Sequence, residues 1–280
     1  MSTPPGPTVG DRLRSFAVFV WNHDEKKFLG RGARSWAEIG VFYLIYYTCL
    51  AGFFTGMGTV FYKTLDAKRP RLTGDSSLLK GNPGMGFQPM PDVEYSLIRF
   101  KKSRESYKDH VDSIKKVLKP YIQAAAEGGL ADCAPYGTEA VEGQACAVNI
   151  GNLMSGCNEE NDFGYGLDPP RPCVLLRLNK RQILHNPSQI YIQCVGENPA
   201  DKDNLGTDIT YYPTQGYPHF YYPYRNQDGY LAPLVFVQFN SVKSKVALMV
   251  ECRALAPNIQ FDRADREGGV HFELLIDVDA

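Results

Sequence analysis

The chain lacks a charge excess of either sign: 30 Lys and Arg stand against 31 Asp and Glu in 280 residues, a formal net charge of −1. Without a basic excess there is no electrostatic footprint for nucleic acid, and DNA or RNA is excluded as the main partner. Catalytic signatures are missing as well: there is no G-x-S-x-G, no P-loop, no G-x-G-x-x-G and no H-E-x-x-H. No internal repeat of fixed period is visible. Cysteine is absent from the first 48 residues. The sharpest absence runs from Ile39 to Tyr62, 24 residues without one Asp, Glu, Lys, Arg, His, Asn, Gln or Pro.

What fills that stretch is apolar and aromatic. At about 1.5 Å of rise per residue, a helix of this length crosses a hydrocarbon core of about 30 Å with some tilt. A signal peptide is a poor description, because 38 mostly polar residues come first and the apolar run is longer than the roughly 7–15 residues such peptides carry. A wholly buried core helix is the bland alternative. The reading adopted is a membrane anchor.

Basic residues do not orient it. Residues 19–38 hold four (Lys26, Lys27, Arg31, Arg34) and residues 63–82 hold five (Lys63, Lys68, Arg69, Arg71, Lys80). Cysteine does orient it. Cys49 lies inside the span, and Cys133, Cys146, Cys157, Cys173, Cys194 and Cys252 all follow it. An even set on one side of an anchor reads as three disulfides in an oxidising compartment. Zinc would want paired cysteines two to four residues apart, or His partners at ligand spacing, and neither occurs. The expectation is a single-pass type II membrane protein with its C-terminal part outside.

Four pieces follow: a cytoplasmic tail at 1–38 with a disordered first ten residues, a transmembrane helix at 39–62, an extended Gly/Pro-rich stalk at 63–92, and a folded ectodomain at 93–280. Within the last, Tyr107, Val111, Ile114, Leu118 and Tyr121 recur at spacings of 4, 3, 4 and 3, which predicts a helix after Ser103 or Ser106 with Pro120 near its end. Strands are expected at Cys173–Leu178, Ile190–Cys194, Ile209–Tyr212, Leu234–Phe239, Val246–Cys252 and Val270–Ile276. Short strands between turn-rich loops imply a mainly-β sandwich with one flanking helix.

Type II anchoring raises the glycosyltransferases, whose metal site often uses Asp-x-Asp. Asp201-Lys-Asp203 and Asp277-Val-Asp279 have that spacing. The first pair lies in a polar stretch where solvated carboxylates are expected, and the second is at the chain end. A calcium loop fails because Leu205 and Tyr212 stand where it needs Asp or Asn and a carboxylate. No catalytic residue, metal site or cofactor is implied.

The positive signals are for association. Tyr43 and Tyr47, four apart, share a helix face. Gly52 and Gly56 form a G-x-x-x-G that lets another helix approach closely. An interfacial aromatic belt explains Tyr43 well but Tyr47 less, since eight residues of helix carry it about 12 Å below the headgroups. Tyr221-Tyr222-Pro223-Tyr224 offers three phenols around a proline, a rigid amphipathic surface of the kind found at interface hot spots, or alternatively a core-facing turn.

Several motifs occur in order that together resemble one family. Phe19-Val-Trp-Asn22, Phe28-Leu-Gly-Arg-Gly-Ala-Arg-Ser-Trp36, Phe42-Tyr-Leu-Ile-Tyr-Tyr47 and Cys49-Leu-Ala-Gly-Phe-Phe-Thr-Gly56 precede Asp162-Phe-Gly-Tyr165, Pro172-Cys173, Tyr221-Tyr-Pro-Tyr224 and Gly229-Tyr-Leu-Ala-Pro-Leu-Val235. The set ends on Cys252 and Asp262-Arg…Arg266…Val270-His-Phe. This pattern, covering 16–280, resembles the β subunits of the Na⁺/K⁺-transporting P-type ATPases. The resemblance implies an immunoglobulin-like ectodomain on a non-catalytic subunit at the plasma membrane. Such a subunit forms an obligate heterodimer with a catalytic α subunit, escorts it and tunes its K⁺ affinity; a small single-span regulatory subunit and membrane lipid complete the implied partners. It implies disulfides in sequential order, Cys133–Cys146, Cys157–Cys173 and Cys194–Cys252. It also maps α-subunit contacts onto Tyr43 and Tyr47 in the span and onto Tyr221, Tyr222 and Tyr224 outside, and Gly52 and Gly56 are expected to serve the same partner.

One departure stands out. Ectodomains of this family usually carry N-linked glycans, yet no usable N-x-[ST] occurs; the nearest, Asn186-Pro187-Ser188, is disqualified by its proline. The resemblance therefore carries no expectation of glycan-mediated adhesion and does not choose between this pump and the related H⁺/K⁺ pump. A free-standing adhesion or receptor ectodomain is the alternative from another class.

Overall fold

The apolar run that dominates the sequence becomes a helix longer than the run itself. The computed structural model of the protein describes residues 9–68, 72, 84–134, 143–179, 189–257, 259–264 and 266–277. The chain divides into two units, residues 1–66 and 67–280.

In the first unit, helix α1 (Val9–Val20) feeds a two-residue hairpin, β1 (Trp21–Asn22) against β2 (Lys27–Phe28). Of the ten residues expected to be disordered, 1–8 lie outside the described residues, and Val9 and Gly10 already belong to α1. Asn22 closes the hairpin turn by accepting hydrogen bonds from the N–H groups of Asp24 and Glu25. Gly32, in extended conformation, starts α2 (Ala33–Lys63). Thr64 ends it, its N–H reaching back to Phe61 and Tyr62. No residue of α2 is buried, and among the described residues it is the one helix long and apolar enough to cross a membrane.

The second unit is mostly β. In chain order it comprises β3 (Met85–Gln88), β4 (Leu97–Lys101), α3 (Arg104–Glu127), α4 (Ile150–Leu153), β5 (Cys173–Leu178), β6 (Ile190–Gly196) and α5 (Pro199–Leu205). There follow β7 (Ile209–Tyr212), β8 (Gly216–Tyr217), β9 (Leu234–Phe239), β10 (Leu248–Leu255) and β11 (Gly269–Asp277). One sheet has the order β4-β11-β10-β6-β8, the other β3-β5-β9-β7. Phe272 of β11 bridges them, stacking on Phe87 of β3 at 5.0 Å and meeting Phe239 of β9 edge-on at 6.2 Å. All neighbours run antiparallel except β4, which joins β11 parallel. Cys194 and Cys252 sit directly opposite each other on β6 and β10, so their bond lies within one sheet, whereas the hallmark bond of antibody domains joins two.

Helix α3 buries Tyr107, Val111, Ile114, Leu118 and Tyr121, the five residues of its apolar stripe. It runs on through Pro120 to Glu127, further than its proline suggested. The anchor beyond the proline is Tyr121, whose hydroxyl donates to the Ala232 carbonyl at 2.8 Å. Two further expectations are corrected. The stalk drawn at 63–92 gives way by Met85, where β3 pairs with β5; residues 73–83 lie outside the described residues. The polar loop around Asp201 is helix α5, capped by Asn198, whose side-chain oxygen accepts from the Asp201 N–H.

Candidate partner-binding surfaces

Two groups of residues were singled out in the span, and helix geometry separates them. Tyr43 and Tyr47 stack with ring centroids 5.9 Å apart at 23°. Both rings are half exposed, so the pair presents one broad aromatic face. Gly52 lies nine residues beyond Tyr43, which at about 100° per residue is half a turn around the axis. Gly56 lies on the same far side, with Thr48, Thr55 and Thr59. A Cβ added at Gly52 or Gly56 would meet nothing within 4 Å. The threonine hydroxyls fold back onto their own helix, donating to the carbonyls of Leu44 (2.7 Å), Ala51 (2.8 Å) and Thr55 (2.7 Å), so this groove is smooth and self-satisfied. One partner helix cannot cover both faces. Cys49 is a free, exposed thiol.

The tyrosine segment of the second unit is less exposed than its composition suggested. Tyr221 is 8% exposed and Tyr222 2%. The Tyr221 hydroxyl donates to the Ala147 carbonyl at 3.0 Å, and burial, with Asp132 adding to it, pushes its pKa up to about 12. Both rings are thus largely buried in the domain itself, and both also form part of the wall of a cleft. Tyr224 alone of the three reaches the surface, donating to Asn226 Oδ1 at 2.9 Å and lying 4.9 Å from the Tyr230 ring. Beside this segment opens that cleft, of about 290 Å³, whose wall includes Phe220, Tyr221, Tyr222, Pro223, Arg225 and Tyr230, though not Tyr224 itself. Burial drives the Tyr230 hydroxyl above its ordinary range. Phe220, Arg225 and Tyr230 were not singled out individually; the signal for Tyr230 lay in the Gly229-Tyr-Leu-Ala-Pro run.

The cystines bond Cys133 to Cys146, Cys157 to Cys173 and Cys194 to Cys252. The first supports the cleft directly. It ties 131–134 to the strip 145–147 that receives the Tyr221 hydroxyl, and Ala131 and Cys146 form a parallel bridge there. The second holds the turn at 158–165, where Asn161 accepts from the N–H groups of Asn158 and Gly164.

The Asp-x-Asp candidates do not form a metal centre among the described residues, where no group of three His, Cys, Asp or Glu gathers. Asp201 is buried and accepts from the Asn198 amide at 2.6 Å, which is a capping role rather than that of a solvated carboxylate. Asp277 pairs with Arg99 at 2.7 Å, and Asp279 lies outside the described residues, as does Asn186.

With this geometry in hand, comparison with known proteins is decisive. The family model described as sodium/potassium ATPase beta chain matches residues 7–272. The chain belongs to that family. It is 35% identical to the sodium/potassium-transporting ATPase subunit beta-2 of Drosophila melanogaster, the match covering 97% of this chain and 94% of the relative. It is 33% identical to subunit beta-1 of the same fly, over 95% and 94%. It is 31% identical to subunit beta-1 of Tetronarce californica, over 93% and 94%. A candidate membrane-crossing helix followed by a mostly-β, three-disulfide unit is the architecture of an accessory pump subunit, and family membership implies a P-type ATPase α subunit as its partner.

Proposed function

We propose that this chain is the non-catalytic β subunit of a Na⁺/K⁺-transporting ATPase. It forms an obligate pair with the catalytic α subunit, which it helps to mature and reach the plasma membrane, and whose K⁺ affinity it tunes. In this reading it is a type II protein, cytoplasmic at 1–38, spanning at 39–62 and extracellular beyond, with a two-layer, immunoglobulin-like ectodomain. The observation that carries the reading is the stacked Tyr43–Tyr47 pair on a helix with no residue buried in its own chain. In lipid a helix pair gains little from hydrophobic burial, so packing and polar contacts hold it, and phenol rings supply both. Tyr224 and the neighbouring cleft, with Tyr221 and Tyr222 in its wall, are the second proposed contact. Gly52 and Gly56, on the opposite face of the span, are open to a second helix, either another helix of the α subunit, as expected from the sequence, or a small single-span regulatory subunit.

A contact alters ion affinity only if it is stronger in one transport state than in another. Losing about 1 kcal/mol of differential contact changes apparent affinity roughly fivefold. Purification in mild detergent should bring down a large polytopic ATPase in equal amount. Tyr43→Ala with Tyr47→Ala should still assemble through the ectodomain but shift the K⁺ activation curve, and Phe at both positions should shift it less. A chain that purifies alone, or an unchanged K⁺ curve in the double-Ala complex, would overturn the respective part of the proposal.

A further inference from the structure

The segment before the span holds an apolar helix face that is exposed among the described residues. Along α1, Val9, Leu13, Phe16 and Val20 recur at spacings of 4, 3 and 4, which place them on one side of the helix; Val18 and Phe19, also apolar and half exposed, lie off that stripe. Leu13 and Phe16 are 65% and 63% exposed. Arg14 and Val18 lie on the opposite side. A face of this kind needs an occupant, and three observations say which.

The first is position. The Leu29 N–H donates to the Val20 carbonyl at 3.0 Å, and the Trp36 indole N–H donates to the Phe28 carbonyl at 2.9 Å. The end of α1 is thereby tied, through the hairpin, to the first turn of α2, where the chain enters the bilayer. The second is the company it keeps: Trp21, Phe28 and Trp36 are exposed around this junction, Phe28 and Trp36 lie 5.7 Å apart, and the two tryptophans are amphipathic aromatics that favour the headgroup level. The third is charge. Between residues 13 and 38 five basic residues (Arg14, Lys26, Lys27, Arg31, Arg34) face three acidic ones (Asp24, Glu25, Glu38). The excess suits an anionic leaflet.

We infer that α1 is an interfacial helix: it lies on the membrane surface at the entry to the span, Leu13 and Phe16 dipping into the headgroup–acyl boundary of anionic lipid and Arg14 facing water. The inference rests on α2 crossing the bilayer but not on which pump the chain serves. The chain would then meet the membrane twice, through a span and through a collar that fixes how the span enters.

The test uses the full chain with Cys49→Ala, since the other six cysteines are in disulfides. Leu13→Cys, Arg14→Cys, Phe16→Cys and Val18→Cys are each spin-labelled. The proteins are reconstituted in phosphatidylcholine vesicles with about one-fifth phosphatidylserine. The ratio of collisions with oxygen to collisions with a water-soluble nickel chelate should be at least about threefold higher at 13 and 16 than at 14 and 18. Phe16→Asp should abolish the contrast at 13. Equal ratios at all four positions would overturn the inference. So would labels at 13 and 16 shielded from both reagents, which would mean that protein covers the face. Co-purification of the catalytic subunit, read on the same samples, reports separately on the pump-subunit assignment.

Discussion

Replacing Cys194 and Cys252 together by Ala isolates what a cross-link does when the native contacts do not need it. The two residues are opposed in the register of β6 and β10, in the middle of six paired positions from Val250↔Gly196 to Leu255↔Tyr191. Ladder hydrogen bonds therefore keep the strands together after the sulfurs are gone, and the loss acts mainly on the unfolded chain. For cysteines 58 residues apart, the chain-entropy model gives about 4 kcal/mol as an upper estimate. For Cys133 and Cys146, 13 apart, it gives about 3 kcal/mol. Both pairs are buried, so the packing lost with the sulfurs is similar, and the difference of about 1 kcal/mol reports loop length. The assay is urea unfolding of residues 67–280 followed by circular dichroism, because both tryptophans, Trp21 and Trp36, lie outside that unit. The Cys194/Cys252 variant should fold, with Tm lower by about 8–16 °C and an increased urea slope, since its unfolded state opens further. A smaller loss than that of the Cys133/Cys146 variant would refute the reasoning. In cells, Cys194→Ser should be retained before the surface.

Phe272→Ala removes the ring that touches both sheets and should cost about 3–5 kcal/mol in the same unfolding assay. Gly164→Ala should abolish or severely reduce folding yield, because Gly164 has φ +81° and a Cβ there would stand 1.9 Å from the Arg171 carbonyl oxygen. His110 lies 6.0 Å from the Tyr165 ring, and burial depresses its pKa below 6.5, with Asp109 opposing more weakly. The unfolded chain then takes the proton first as pH falls, so this contribution is complete above about pH 6.5 and is lost progressively below it. Urea midpoints measured on either side of that value should diverge less in His110→Leu than in the unaltered chain.

Where a residue pattern has a single physical cause, the sequence carries it through to the fold. The 4-3-4-3 stripe of α3 is buried at all five positions because only a helix puts them on one side. Cys173–Leu178, Ile209–Tyr212 and Leu234–Phe239 keep their expected bounds as β5, β7 and β9, since β-rich runs flanked by turns leave little choice. Patterns with two causes misled. Met85-Gly-Phe-Gln88 lies among Gly and Pro that read as stalk, yet Phe87 is inside, and its partner strand β5 is about ninety residues away in sequence. Tyr221 and Tyr222 look alike in sequence whether a partner or the domain covers them; the carbonyl that takes the Tyr221 hydroxyl, that of Ala147, is 74 residues distant. Six cysteines allow fifteen connectivities, and only the fold brings Cys194 beside Cys252. The face opposition within α2 follows from spacing alone, because nine residues make two and a half turns in any regular helix, yet the expectation from sequence puts all four residues on one partner.

The two proposed contacts with the catalytic subunit place different demands on this chain. A span that offers two phenols to a neighbour in lipid makes a modest contact, since double-mutant measurements of such interhelical hydrogen bonds average well under 1 kcal/mol. Assembly then depends on a second site on the same chain, because linking two weak contacts raises the effective concentration of each. That second site must be rigid, for an edge that rearranged freely would lose in ordering what it gained in contact. The cleft beside Tyr224 meets the requirement: Tyr221 and Tyr222 are locked in its wall, and the Cys133–Cys146 bond braces the strip that accepts the Tyr221 hydroxyl. The span is under the opposite demand. Its tyrosines must be able to gain and lose contact as the partner moves, which a face with no residue buried in its own chain permits. In the proposed reading, holding on through the braced β unit and sensing through the open helix face are thus separable tasks.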